Sequence, residues 1–80
     1  QIEAIKLVGK LYRIESLINA LILKLKNKNP DIRKSSILSL MQLNIIEAIN
    51  PLKDLAKKEK DINVIKIIKL AINRIDKDMN

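Results

Sequence analysis

The sequence predicts an all-α fold built from a repeated helix pair, and three observations carry that reading. Displaced by 32 residues, the chain matches itself without a gap, 1–48 over 33–80: Ile5 falls on Ile37, Leu11 on Leu43, Ile14-Glu15 on Ile46-Glu47, Leu23 on Leu55 and Leu38 on Leu70. A fixed period of this size is the signature of a repeat solenoid. Within each copy, apolar residues recur three and four apart, as in Ile5, Val8 and Leu11 with Leu7, then Ile37, Leu40 and Leu43 with Met41. That spacing is the stripe of an amphipathic helix. The alternation expected of a half-buried strand is absent.

Each copy reads as two helices, and the chain as two and a half copies. The apolar spacing predicts a first helix over about 2–11 and a second over about 16–27. Asn29-Pro30-Asp31 supplies an N-cap, a proline at the first helical position and an acid at the positive end of the dipole, so a third helix is expected over about 31–43. Asn50-Pro51 fits only the first turn of a helix, because a deeper proline would remove a hydrogen bond and clash, which places the fourth over about 48–58. Asp61 caps a fifth over about 62–75. Short turns between them favour antiparallel neighbours. The division is a single domain, 1–80, with repeats at about 1–30, 31–61 and a partial 62–80, expected to be a segment of a longer protein.

The repeat resembles short HEAT-type repeats, the kind also called HEAT-like in bilin lyases. The resemblance rests on Ala4-Ile5-Lys6-Leu7-Val8-Gly9-Lys10-Leu11 with Glu15-Ser16-Leu17. It rests more fully on Pro30-Asp31-Ile32-Arg33-Lys34, Leu38-Ser39-Leu40, Leu43 and Glu47-Ala48-Ile49-Asn50-Pro51-Leu52. These look like the family's D-x-x-V-R-x-x-A-x-x-A-L-x-x-L first helix and A-I-x-x-L second helix, over the whole chain. Ser35, Ser36 and Ser39 stand where the family has small alanines, and Ile65 stands where a third arginine is expected. The resemblance implies a right-handed α-solenoid of antiparallel helix pairs whose second helices line a concave groove. It also implies a scaffold for protein partners.

Composition excludes much chemistry. With no His and no Cys there is no Ser-His dyad, no thiol nucleophile, no disulfide and no imidazole or thiolate metal site. No catalytic residue, cofactor or metal is therefore expected. Ser35, Ser36 and Ser39 are read as small packing residues, and Glu15 and Glu47, equivalent by repeat, as acids at helix N-termini. Every apolar run is broken by a charged or polar residue well before the ~18 of a membrane span, and the absence of Cys fits the cytoplasmic location that is expected. Eighty residues bury only about 60% of the unfolded surface, so stability is expected to be marginal.

Two features invite a partner. The net charge is +7, and Lys26/Lys58, Lys28/Lys60 and Lys34/Lys66 recur in register, an edge able to track phosphates. Against nucleic acid, lysines at helix C-termini also complement the dipole. Ile, Lys and Asn together make up 37 of 80 residues, the bias of an AT-rich genome, and Tyr12 is the one aromatic available for base stacking. The second feature is an extra apolar stripe. Ile18, Leu21, Ile22 and Leu25 align with the polar Asn50, Lys53, Asp54 and Lys57, while Leu17, Ala20 and Leu23 keep the core positions of Ile49, Leu52 and Leu55. A helix apolar on two faces must be covered. Either a preceding repeat packs on the stripe, or a partner helix or second copy docks there, and Ile18, Ile22 and Leu25 are then exposed in the isolated monomer. The expected function is a non-enzymatic protein-interaction scaffold; the alternative is binding of nucleic-acid phosphates by the lysine edge.

Overall fold

The computed structural model describes residues 14–78, and the helix expected over 2–11 lies outside them. The described residues form four helices that pack against one another, with no strand. Helix α1 runs over 14–24, α2 over Pro30–Gln42, α3 over Ile49–Lys58 and α4 over Ile62–Asp78, with one 3-10 turn at Ile46–Ala48 before α3.

Local chemistry sets these boundaries. The last turn of α1 tightens into i to i−3 bonds, with the N–H groups of Leu25, Lys26 and Asn27 donating to the carbonyls of Ile22, Leu23 and Lys24 at 3.0–3.1 Å. The Asn27 side chain then accepts from the Asn29 N–H, and Asn29 in turn caps α2 by accepting from the Asp31 N–H, both at 2.9 Å. Pro30 occupies the first turn of α2, where no N–H is missed. Asn44, at φ 52°, ends α2 in the left-handed region that asparagine tolerates. The Ile45 N–H donates to the Leu40 carbonyl and the Asn44 N–H to that of Met41, the paired bonds of a Schellman end. Leu43 is the C-cap and is exposed, so the apolar stripe expected to include it stops at Met41. Asp61 caps α4, its Oδ1 accepting from the N–H groups of Asn63 at 2.8 Å and Val64 at 3.2 Å. Replacing Asn29 or Asp61 with Ala is expected to lower stability by about 0.5–2 kcal/mol, read by chemical denaturation.

Helix α4 packs against both α2 and α3. It presents Val64, Ile68, Ala71 and Ile75, spaced four, three and four apart, and all are buried. Ile37, Leu40 and Met41 of α2, Leu52 of α3 and Ala48 before it complete this part of the core. Ser36 is buried beside them, as a small packing residue should be, whereas Ser35 is exposed. Ile68, which replaces Ser36 by repeat, belongs to the chain's own core.

Helix α1 departs most from expectation. Leu25 is 3% exposed and Leu21 9%, both within the core, and Ile22 packs against it. Leu17 and Leu23, expected in the core, are 52% and 67% exposed, and Ala20 is exposed too. The helix is thus turned by about one residue, ~100°, from the face that the 32-residue alignment assigns. The physical reason lies at its C-terminal end. Continuing the Leu17/Ala20 face brings Lys24 and then Asn27 inward, and an unpaired charge is costly to bury. The stripe of Ile18, Leu21, Ile22 and Leu25 stays apolar to the last turn.

Candidate functional site

The loops at one end of the molecule are tied by Arg33, near the start of α2. Its guanidinium grips Glu59 with two parallel bonds, Nε to Oε2 at 2.7 Å and Nη2 to Oε1 at 2.8 Å. Its Nη1 donates to the carbonyls of Asn27 at 2.7 Å and Lys28 at 3.1 Å. One side chain therefore holds the turn after α1 to the turn before α4. Asn27 and Glu59 are 32 residues apart, so Arg33 joins equivalent points of successive copies. The Glu59 side chain is 3% exposed. Burial works to raise its pKa, but the Arg33 hydrogen bonds and charge, with the N–H groups of Asp61 and Lys60, outweigh it and hold the carboxyl below its ordinary value.

This clamp brings the C-terminal ends of α1 and α3 close together, and a groove runs between the two helices. Its floor is Ile22, Leu25, Pro51 and Leu55, with Lys26, Lys58 and Asp54 also lining it, and its volume is about 270 Å³. That is slightly below the ~300–1,000 Å³ of small-molecule pockets, which suits one or two apolar side chains of a docked peptide better than a sizeable ligand. At the loop end it opens into a basin of about 310 Å³, lined by Lys26, Lys28, Lys58 and Lys60 around the Arg33–Glu59 pair. Groove and basin share Leu25, Lys26, Leu55 and Lys58, so they form one trough.

Four of the six lysines picked out by their repeat are therefore brought together. None of these four pairs with a carboxylate among the described residues. Lys34 instead pairs with Asp31 at 3.3 Å, and neither it nor Lys66 lines the basin. Of the apolar stripe, Ile22 and Leu25 reach the groove, Leu21 faces the core and a second cleft, and Ile18 is half-buried. The expectation that Ile18, Ile22 and Leu25 stand exposed in the monomer is thus corrected. Packing inside the chain takes up much of the stripe and leaves its edge as groove floor. Pro51 and Leu55 were missed as groove residues. Their signal was their place in the helix equivalent to α1, since second helices were expected to line a groove.

Ser35, Ser36 and Ser39 line a separate cleft of about 320 Å³ between α1 and α2, together with Leu21, Lys24 and Ile32. No described helix is long and apolar enough to cross a membrane. No family model, no curated protein and no solved structure matches this chain.

Proposed function

We propose that the chain is a non-enzymatic protein-interaction module, a HEAT-like solenoid segment that takes a helix of a partner protein in the groove between α1 and α3. The observation that carries this reading is the groove itself. It lies between the two helices that occupy the same place in successive copies, where a solenoid's second helices would form its concave side, and its floor is apolar. The Arg33 clamp between positions 32 residues apart supports the solenoid reading as well. A second copy is a poor occupant, because it would set a chain of charge +7 and its lysine rim against their like.

The test is selection of displayed helical peptides by the full chain, followed by amide chemical-shift mapping of a selected peptide. Shifts centred on Ile22, Asp54 and Leu55 are expected. Shifts centred instead on the exposed Leu17 and Leu23 of α1 would move the site to its outer face and defeat the groove reading.

The convergence of four lysines favours one further reading, binding of nucleic-acid phosphates. The two separate on salt: an affinity for oligonucleotide that falls steeply as salt rises would favour phosphate, since phosphate contacts release counterions. Changing Lys26, Lys28, Lys58 and Lys60 together to Gln is expected to alter stability by no more than about 0.5 kcal/mol, because the four are exposed, and a thermal melt checks it.

A further inference from the structure

We infer that the segment accepted by the trough is an acidic amphipathic helix, with apolar side chains for the groove and a cluster of carboxylates at the end that reaches the basin. The inference rests on the groove reading above and adds the chemistry of the partner.

Charge decides it. Lys26, Lys28, Lys58 and Lys60 converge on one basin without a described carboxylate to pair them. Two negative contributions oppose them. The C-terminal ends of α1 and α3 point to the same place, each worth about half a negative charge, and Asp54 lines the adjoining groove. Arg33 and Glu59 cancel each other. Four positive charges against roughly two negative leave the trough at about +2. The like charges repel one another, and a ligand that brings carboxylates relieves that repulsion while a neutral one does not.

The position of the charge matters equally. The apolar floor at Ile22 and Pro51 lies in the groove alone, and Lys28 and Lys60 lie in the basin alone. A ligand that fills both must be apolar along one part and acidic at one end. Nucleic acid matches the basin but not the floor, because its bases would seek aromatic faces and neither groove nor basin is lined by one.

The experiment selects from a displayed library of helical peptides with all faces randomised, using the full chain as bait, and repeats it with Lys28→Gln/Lys60→Gln. Enriched peptides are expected to carry apolar residues three and four apart together with two or more Asp or Glu at one end. Replacing those acids with Asn or Gln, or using the double variant, is expected to weaken binding about tenfold, the sum of several solvent-exposed pairs. Apolar peptides enriched without acids would overturn the inference and leave the groove reading standing. Acidic peptides enriched without apolar positions, or no enrichment, would remove both. A single-stranded oligonucleotide that displaces the selected peptides and binds more tightly than they do would assign the basin to phosphate and overturn the inference.

Discussion

Arg33→Ala is expected to destabilise the chain by about 1.5–3 kcal/mol, because it removes two charge-assisted hydrogen bonds from the part-buried Glu59 carboxylate and the shared donor of two loop carbonyls. In a small domain that is a large fraction of the whole stability. Lysine at position 33 should not restore it, since an ammonium cannot supply the two parallel bonds together with the contacts to Asn27 and Lys28. Chemical denaturation of the three proteins reads the result, and a loss below about 1 kcal/mol would reduce the clamp to an ordinary surface pair. The pair also sets an acid limit. Glu59 has its pKa lowered on folding, so its contribution is complete above the unfolded value of about 4.3 and is lost as pH falls from there through the folded value. Glu59→Gln should flatten the part of the stability profile that lies below the unfolded value of about 4.3. An unchanged acid slope would place the loss at other carboxyls.

Leu25→Ala is expected to cost about 2–5 kcal/mol and Leu23→Ala close to nothing, two leucines two residues apart at the C-terminal end of α1. The first is within the core and the second is mostly exposed. The 32-residue alignment on its own assigns the opposite order, because it sets Leu23 on Leu55 and Leu25 on Lys57. Equilibrium unfolding of the two variants therefore measures the rotation of α1 directly. If Leu23→Ala were the more costly change, α1 would be turned back to the aligned face and the floor of the groove would lose Leu25.

The same rotation explains what happened to the candidate site. Reading the sequence, Ile18, Leu21, Ile22 and Leu25 looked surplus, because Leu17, Ala20 and Leu23 already filled the aligned core positions. Packing made the surplus stripe the core-facing one. The lysines fared differently. Of the six lysines that recur in register, Lys26, Lys28, Lys58 and Lys60 line the basin, since they sit at the ends of α1 and α3, whereas Lys34 and Lys66 do not.

The sequence by itself determined the four described helices, the N-caps of α2 and α4 and the recurrence of lysines at the loops. Asn29, Asp61 and Pro30 act within one turn of chain, and their hydrogen bonds form wherever the helix ends up. Two matters were left to tertiary structure. Which face of α1 turns inward depends on comparing two apolar stripes against the same neighbours, and the difference lies in whether Lys24 and Asn27 must follow the stripe inside. Which acid pairs with Arg33 was equally open, because Glu59 is 26 residues away and only the approach of the α3–α4 turn brings it within 2.7 Å. Local bonding is written in neighbouring residues, whereas burial and long-range pairing are settled by what the rest of the chain packs against.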